Sequence, residues 1–236
     1  MLAELKGWGQ VAVGTRMNDR CDPQFFNCWS HLIAGGLRKG DTVLDAGIEL
    51  PQHMAGNVLA LHFLASDADS LLMVDTDMIF KQDTLNRLRD DVAGQEYDVL
   101  SALSVTRREP YYPILLRLDP AANNGNGAYV CAKDAINGSV IPVDSVGTGF
   151  TLIRRKVFDD MAAKLEIGGR WFFDWGPCGL GEDTQFCQRA IKLGFRVGVH
   201  TGIGIGHRGP ITFVWDAEQK KTTLETSHQC KELMKP

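Results

Sequence analysis

The chain has 236 residues, of which 44% are hydrophobic and 23% are charged. These proportions exclude wholesale disorder, and the length suffices for one full α/β core. The net charge of −4 excludes a uniformly basic surface but leaves room for a local basic patch. Because no signal peptide and no apolar run near the roughly 20 residues of a membrane helix is found, we expect a cytoplasmic protein without a membrane segment.

Apolar runs and helical patterns alternate through the first hundred residues. The run Leu71-Leu72-Met73-Val74 is apolar at every position, which is typical of a parallel strand covered on both faces. This alternation predicts an α/β fold with a single Rossmann-like, doubly wound, mostly parallel sheet and helices on both faces. The predicted elements are strands at 11–14, 42–45, 71–74 and 99–105, and helices that begin at Asp22-Pro23, at Pro51 and after an Asp83 cap.

Helical periodicity also predicts which side chains of the first two helices face the core. The expected inner positions are Phe25, Phe26, Trp29, Leu32 and Ile33 in the first helix, and Met54, Val58, Leu61 and Ala65 in the second.

The second half is predicted to resume after a Pro- and Asn-Gly-rich loop that follows Pro110. A strand is expected at 147–153, a helix from Arg154, a last helix over 182–193 that ends at Gly194, and a closing strand at 195–199. The residues after Trp215 are polar, and a helix is the structure considered for them. No domain-scale linker is present, so we expect one domain over 1–236, with a core at about 11–207 and a polar tail at 216–236.

The strongest chemical signal is Asp75-Thr76-Asp77, at the end of the buried strand. Ligands of open α/β sheets bind beyond the carboxyl ends of the strands. Two acids separated by one residue of extended chain point to the same side, which suits Mg²⁺ or a similar ion that bridges phosphates. Helix capping is the alternative role, but Asp83 is expected to take it six residues later.

A second signal is Glu182-Asp183, at the start of the last predicted helix. Acids in a first turn stabilise the helix dipole by about 0.3–1 kcal/mol each, so this motif alone is ambiguous. It follows an aromatic, glycine-rich stretch, and an apolar wall beside a carboxylate suits a general base. The aromatic side chains of this stretch could stack on a nucleobase, bind a sugar or belong to the hydrophobic core. Trp171, Phe172 and Trp175 are those assigned to the acceptor side of the site.

A third signal is His207, which lies in a glycine-rich stretch that lets the backbone approach a ligand closely. A neutral imidazole can complete a metal shell that carboxylates begin. A single histidine is more often a surface or core residue, so this position depends on its context.

Together, Asp75-x-Asp77, Gly147-Thr148-Gly149-Phe150, Glu182-Asp183 and His207 resemble the GT-A glycosyltransferases in order and spacing. The resemblance runs from about Val11 to His207 and is closest to short stand-alone, family 2-type transferases of phage-like genomes. It implies a nucleotide-sugar donor, with a UDP-sugar favoured, and Mn²⁺ or Mg²⁺ as the cofactor.

The resemblance also implies a role for each matched position. Asp75 and Asp77, with Thr76 between them, would hold the cation against the donor diphosphate, and His207 would complete its shell. Asp183, next to Glu182, would be the catalytic base of an inverting enzyme. Thr15 and Arg16 would lie near the nucleobase and the ribose of the donor. Gly147, Thr148 and Gly149 would also line the nucleotide-sugar pocket, on the side that faces the acceptor.

One departure from the family pattern concerns the helix before the metal strand. Gly56-Asn57 replaces the Arg-Asn pair that is often found there. Asn57 is therefore the remaining candidate to support the donor phosphates.

The acceptor and the oligomeric state stay open at the level of sequence. A small molecule, a glycan, a protein hydroxyl or a hydroxymethylated base of phage DNA could each accept the sugar. Other classes to be weighed are a haloacid-dehalogenase-like phosphatase, which also uses Asp-x-Asp after a strand, and a catalytically inactive sugar-nucleotide-binding module. The basic residues that could contact DNA are Arg87, Arg89, Arg107, Arg108, Arg154, Arg155 and Lys156.

Overall fold

A computed structural model gives the fold. None of the helices in the ranges it describes is both long and apolar enough to cross a lipid bilayer. The described residues are 7–17, 21–45, 47–48, 50–91, 96–107, 110–125, 127–165, 171–177, 180–208, 212–216 and 221–225.

Five α-helices and fifteen strands lie in the described part of the chain. The helices are α1 (Pro23–His31), α2 (Gln52–Ala65), α3 (Thr84–Asp90), α4 (Arg155–Lys164) and α5 (Glu182–Lys192). The strands are β1 (Val11–Met17), β2 (Thr42–Val43), β3 (Gly47–Ile48), β4 (Ser70–Asp75), β5 (Met78–Ile79), β6 (Val99–Leu103), β7 (Leu115–Asp119), β8 (Ala128–Cys131), β9 (Val140–Pro142), β10 (Ser145–Val146), β11 (Phe150–Arg154), β12 (Val197–Gly204), β13 (Gly206–His207), β14 (Thr212–Asp216) and β15 (Lys221–Glu225).

The central sheet confirms the predicted α/β class. Its strand order is β2-β1-β4-β11-β6-β12-β9, and β3 also pairs with β1. Strand β1 runs parallel to β2, β3 and β4, and β12 runs parallel to β6. Two strands are antiparallel to their neighbours: β11, which lies between β4 and β6, and β9 at the edge. The sheet is therefore mixed, with a mostly parallel core.

Apolar side chains of the sheet pack on both of its faces. In β4, Leu71 and Met73 join the cluster that contains Phe63 and Phe158, while Leu72 joins the opposite cluster with α1 and α3. Every residue of β4 is buried. This confirms the prediction that the strand is covered on both faces, and it leaves the carboxyl end of β4 as its accessible part.

The helix starts were predicted better than the helix faces. Asp22 caps α1 by accepting a hydrogen bond from the backbone N–H of Gln24 at 2.8 Å, as expected. Phe26, expected inside, is 60% exposed, while Cys28 is buried. In α2 the inner face is formed by residues such as Leu59 and Phe63 rather than by the predicted positions. Phe25 and Leu32 are buried as predicted, so periodicity identified part of the inner side of the first helix but not that of α2.

Two further predictions of secondary structure were wrong. Asp83 stands before α3, but its side chain makes no capping hydrogen bond; instead, the hydroxyl of Thr84 accepts one from the backbone N–H of Lys81 at 3.0 Å. The polar tail is not helical at 221–225, where β15 pairs with β14 as an antiparallel hairpin. The mostly polar sequence of β15 suits a strand at the edge of a sheet, a possibility that the sequence prediction omitted. Arg108, one of the basic residues considered for DNA contact, lies outside the described residues.

The aromatic cluster under α4 and α5 supports a first prediction. Phe158 is fully buried and its ring contacts those of Phe63, Phe172 and Phe186 at centroid distances of 5.6, 5.2 and 5.7 Å. Phe158→Ala should therefore lower the free energy of unfolding by about 3–5 kcal/mol, because it removes buried area and leaves a cavity.

Chemical denaturation followed by circular dichroism measures this loss. Phe26→Ala is the matched control, since the Phe26 side chain is mostly exposed and should change stability by no more than about 0.5 kcal/mol. Equal losses in the two variants would contradict the assignment of the core.

Candidate active site

A buried ion pair joins the carboxyl ends of the two neighbouring strands β1 and β4. Arg16 and Asp75 are Cα partners in the parallel register. The Nε of Arg16 donates to Oδ1 of Asp75 at 2.6 Å, and its Nη2 donates to Oδ2 at 2.9 Å. The two side chains are only 2% and 12% exposed. This fork-to-fork geometry is the strongest form of carboxylate–guanidinium contact.

The charge state of this pair follows from its partners. Burial lowers the pKa of Arg16, but the carboxylates of Asp75 and Asp183 outweigh burial and raise it above its ordinary value. Because arginine stays protonated in proteins, the buried guanidinium needs an ionised carboxylate beside it. Gln52, at the start of α2, adds a third hydrogen bond from its Nε2 to Oδ2 of Asp75 at 2.8 Å.

The two acids of the Asp-x-Asp motif face different partners. The chain leaves the extended conformation at Thr76 and Asp77, which form a turn between β4 and β5. The sequence argument that extended geometry places both carboxylates on one side is therefore wrong in its premise. Asp77 contacts His207 at 3.4 Å and Arg107 at 2.8 Å, both through Oδ2. Its Oδ1 is buried and has no hydrogen-bond partner among the described residues.

The charge of Asp77 is stabilised by these contacts. Burial raises the pKa of Asp77, but the hydrogen bond and charge of His207, together with Arg107, bring it below its ordinary value. The carboxylate is therefore ionised at neutral pH, and its Oδ1 makes no hydrogen bond to the described residues.

His207 is brought to Asp77 by strand pairing. Strand β13 pairs with β5 so that His207 stands opposite Met78, the residue after Asp77. The Nδ1 of His207 lies 2.7 Å from the carbonyl oxygen of Val105, so it is this nitrogen that carries the proton and donates. The Nε2 atom faces Oδ2 of Asp77 at 3.4 Å, and the hydrogen bond from Nδ1 to a backbone carbonyl fixes the orientation of the ring, as it commonly does for histidine ligands of metals.

The residues present fit a divalent cation that uses few protein ligands. Within the described ranges, no group of three or more His, Cys, Asp or Glu side chains is arranged to hold a metal ion. Asp77 nevertheless has one oxygen, Oδ1, without a hydrogen-bond partner among the described residues, and its other oxygen, Oδ2, lies 3.4 Å from Nε2 of His207. Mg²⁺-like ions take one or two carboxylates and complete their shell with water and substrate phosphate. Asp75 fits less well, because Arg16 and Gln52 already bind both of its oxygens.

Asp183 lies at the first turn of α5 and is held by Thr148. The backbone N–H of Thr148 donates to Oδ2 of Asp183 at 3.1 Å, and the Thr148 hydroxyl donates to Oδ1. Arg16 Nη1 lies 3.7 Å from the same Oδ1. Hydrogen-bond donors therefore surround this carboxylate, rather than the aromatic wall that the sequence suggested. Burial raises the pKa of the neighbouring Glu182, and the charge of Asp183 adds to this effect.

The Gly147–Gly149 segment packs against the strand ends. Gly149 accepts a hydrogen bond from the backbone N–H of Asp75 at 2.9 Å. A Cβ atom at Gly149 would lie 2.6 Å from Cε of Met78 and 3.4 Å from Oδ2 of Asp75, so any larger residue would have to displace the Met78 side chain. Thr15 and Thr76 are 3% and 8% exposed, so both are almost enclosed at this edge.

Asn57 has a structural role that the resemblance to the GT-A glycosyltransferases did not suggest. Its Nδ2 donates to the carbonyl oxygen of Phe173 at 2.7 Å, and its Oδ1 accepts from the Phe173 backbone N–H at 3.0 Å. A second donor contact from Nδ2 reaches the carbonyl oxygen of His53 at 2.9 Å. Because the amide is used in this way, it is not free to support donor phosphates, and the sequence-based role for Asn57 is corrected.

The aromatic residues expected on the acceptor side divide into two groups. Phe172 is fully buried and packs edge-on against Phe158, so its assignment to the acceptor side is corrected: it belongs to the core. Trp171 and Trp175 are 40% and 58% exposed and remain available to a ligand. The ring of His53 lies 6.5 Å from that of Trp171, and sequence analysis missed this neighbour.

The basic residues considered for DNA contact are largely bound within the protein. Arg89 is buried against Asp41 at 2.9 Å, and Lys156 pairs with Asp98 at 2.8 Å. Arg155 donates to backbone carbonyls, including that of Ala68 at 2.7 Å. Comparable contacts are made by Arg87 with the Gly202 carbonyl, Arg154 with the Tyr97 carbonyl and Arg107 with Asp77. These side chains therefore do not act together as a basic surface.

Comparison with known proteins supports the class of fold. No family model and no curated protein matches the sequence. Among solved structures, the chain is similar to A197 from STIV, with a TM-score of 0.57 and 14% identity over 93% of this chain and 95% of that one. It is also similar to GalNAc-T7 with UDP, GalNAc and Mn²⁺, with a TM-score of 0.56 and 10% identity. This second match covers 85% of this chain but only 43% of GalNAc-T7.

These similarities define the protein at the level of fold. The chain has the α/β fold of the GT-A type and is glycosyltransferase-like in architecture. At such low identity the similarity extends to the fold alone.

The contacts of Asn57 give a second prediction. Asn57→Ala leaves the buried carbonyl oxygen and the buried backbone N–H of Phe173 without their hydrogen-bond partner. It should therefore lower the free energy of unfolding by about 1–3 kcal/mol for each of these two groups. Thermal and chemical denaturation measure the loss.

The matched control for this test is Asn86→Ala. Asn86 donates a single hydrogen bond, to the carbonyl oxygen of Gly36 at 2.9 Å. Its removal should cost less than that of Asn57. A loss at Asn57 no greater than at Asn86 would return Asn57 to the list of candidate ligand-binding residues.

Proposed function

We propose that the protein is a metal-dependent glycosyltransferase that moves a sugar from a nucleotide-sugar donor, with a UDP-sugar favoured, to an acceptor hydroxyl. The observation that carries the proposal is the pair of Asp77 and His207 with its unpartnered buried oxygen, in the turn that follows Asp75. Arg16 joins Asp75 to the Asp183 carboxylate, from which its Nη1 is 3.7 Å away. Support also comes from GalNAc-T7, a fold neighbour solved with UDP, GalNAc and Mn²⁺.

The donor side of the reaction is assigned to Asp77 and His207. A divalent cation held by these two side chains would supply Lewis-acid stabilisation of the negative charge on the departing diphosphate. The hydrogen bond from His207 to Val105 keeps the imidazole oriented with Nε2 towards Asp77. Thr15, Thr76 and Gly147–Gly149 enclose the edge where the donor is expected, and their contacts with it remain a proposal.

The acceptor side of the reaction is assigned to Asp183. The acceptor oxygen forms a bond to the anomeric carbon of the sugar as the bond from that carbon to the diphosphate oxygen breaks. The hydroxyl proton passes to the Asp183 carboxylate, which Thr148 keeps oriented through two hydrogen bonds. Trp171 and Trp175 offer exposed aromatic faces on which a glycan or small-molecule acceptor can stack.

The alternative functions are less well supported by the contacts of the site. A dehalogenase-like phosphatase would need the first acid, Asp75, as a free nucleophile, and here Arg16 binds both of its oxygens. Transfer to a hydroxymethylated DNA base would need a phosphate-binding surface, and the described members of the basic set each have a partner within the protein. One domain over 1–236 and a cytoplasmic location remain predictions.

Metal-dependent nucleotide binding is the third prediction. UDP should bind at least tenfold more tightly in Mn²⁺ than in EDTA, a difference of about 1.4 kcal/mol, because phosphate and protein share the cation. His207→Ala should remove most of this difference in calorimetric titrations. The control is His62→Ala, an exposed histidine on α2. Equal affinity in Mn²⁺ and EDTA for the unaltered protein would refute the metal assignment.

The fourth prediction concerns the base. Asp183→Asn should lower kcat for nucleoside diphosphate release by about 10²–10⁴-fold while donor binding persists, because an amide cannot accept the proton. Asp160→Asn, at an exposed ion pair with Lys164, is the control that should keep full activity. If Asp183 served only the helix dipole, its substitution would cost under about 1 kcal/mol of stability and leave turnover unchanged. The anomeric configuration of the product, read by NMR, gives an independent assignment of inversion or retention.

A further inference from the structure

The guanidinium of Arg16 has one nitrogen that the fold does not satisfy. Its Nε and Nη2 bind the two oxygens of Asp75. Its Nη1 is buried and has no hydrogen-bond partner in the described part of the chain. The nearest acidic oxygen is Oδ1 of Asp183, at 3.7 Å. A buried N–H donor without a partner is costly, so its direction towards Asp183 calls for an explanation.

The neighbouring helix leaves space for this arginine. A Cβ atom at Gly56 would lie 3.6 Å from Cδ of Arg16 and only 3.0 Å from Cδ2 of Phe173. The aliphatic part of Arg16 and the ring of Phe173 therefore pack close to α2 at Gly56, which has no side chain. The guanidinium comes from β1 and reaches the site across that gap.

We propose that Asp75 is the counterion of Arg16 rather than a ligand of the cation, and that Arg16 is a positioning residue for Asp183. This inference rests on the proposed function and divides the two acids of the motif. Asp77 faces the cation, while Asp75 fixes Arg16, whose remaining nitrogen, Nη1, lies 3.7 Å from the base.

Charge supports the first half of this division. A divalent cation bound to Asp75 would lie beside a guanidinium that is itself 2.6 Å from the carboxylate, and two like charges in a buried site repel strongly. Among the described residues, the guanidinium in contact with Asp77 is that of Arg107, which is 53% exposed and can move into solvent. The cation therefore has a favourable place at Asp77 and an unfavourable one at Asp75.

The geometry of Asp183 supports the second half. Thr148 binds both oxygens of this carboxylate from one side, and Arg16 approaches Oδ1 from the strand ends. A general base must hold its acceptor oxygen in reach of the hydroxyl. A short movement of either side chain brings Nη1 into hydrogen-bond range and fixes the rotation of the carboxylate about its Cβ–Cγ bond.

Binding of Mn²⁺ and UDP tests the division of the acids without any turnover. Calorimetry and the electron paramagnetic resonance signal of Mn²⁺ would compare Asp75→Asn with Asp77→Asn. We expect Asp77→Asn to weaken Mn²⁺-dependent UDP binding at least tenfold, and Asp75→Asn to change it by less than about threefold. Equal losses in the two variants would make Asp75 a ligand and overturn the inference. If the unaltered protein showed no Mn²⁺-dependent binding, the proposed function itself would fail, and the inference with it.

Kinetics test the positioning role. The double variant Arg16→Met/Asp75→Leu removes both buried charges together, which preserves folding better than removing either one. We expect UDP affinity in Mn²⁺ within about threefold of the unaltered protein, and kcat at least tenfold lower with the donor KM unchanged. An unchanged kcat would show that the pair only supports the fold.

Arg16→Lys keeps the assay decisive if the double variant does not fold. Lysine retains the positive charge beside Asp75 but lacks the planar fork that reaches two carboxylates at once. It should show the same selective loss of kcat. Full activity in Arg16→Lys would overturn the positioning role.

Discussion

The buried contact between Arg16 and Asp75 organises the edge of the sheet where the candidate site lies. It joins neighbouring parallel strands at their carboxyl ends, where backbone pairing stops and side chains must satisfy one another. Burying two charges is favourable only when geometry and further hydrogen bonds compensate for lost hydration. Here the fork geometry and Gln52 provide that compensation, so helix α2 is tied to the strands through the same carboxylate.

The other site residues come from distant parts of the chain, and three different structural features position them. Asp77 lies in the turn that follows β4, and His207 reaches it because β13 pairs with β5. Asp183 begins α5 and is held by the backbone and hydroxyl of Thr148, which precedes β11. Strand β11 is inserted antiparallel between β4 and β6, so the Gly147–Gly149 segment arrives directly at Asp75. His207 and the Gly147–Gly149 segment therefore both reach the site through pairing between strands that are far apart in sequence.

The sequence predicted the fold class and most element positions because these depend on local signals. Asp22-Pro23 marks a helix start, and the apolar run before Asp75 marks a strand buried on both faces. The partners of the acids could not be predicted, because Arg16, Gln52 and Arg107 meet them only through tertiary contacts. Phe172 and Asn57 were misassigned for a related reason: an aromatic or amide side chain has the same local signature in a core as in a site.

The contact between Asn57 and Phe173 has a mechanical consequence for the exposed tryptophans. One amide side chain satisfies both backbone groups of Phe173, as a neighbouring strand would, so this residue is a fixed point on an otherwise irregular segment. Trp171 and Trp175 each lie two residues from that point, on opposite sides of it. Arg189 also restrains the backbone at Trp171, because its Nη1 donates a hydrogen bond to the Trp171 carbonyl oxygen at 2.9 Å. Asp174, between Phe173 and Trp175, lies 3.9 Å from the same Arg189, so one arginine of α5 contacts the segment on both sides of Phe173 and both exposed indoles are presented from an anchored backbone.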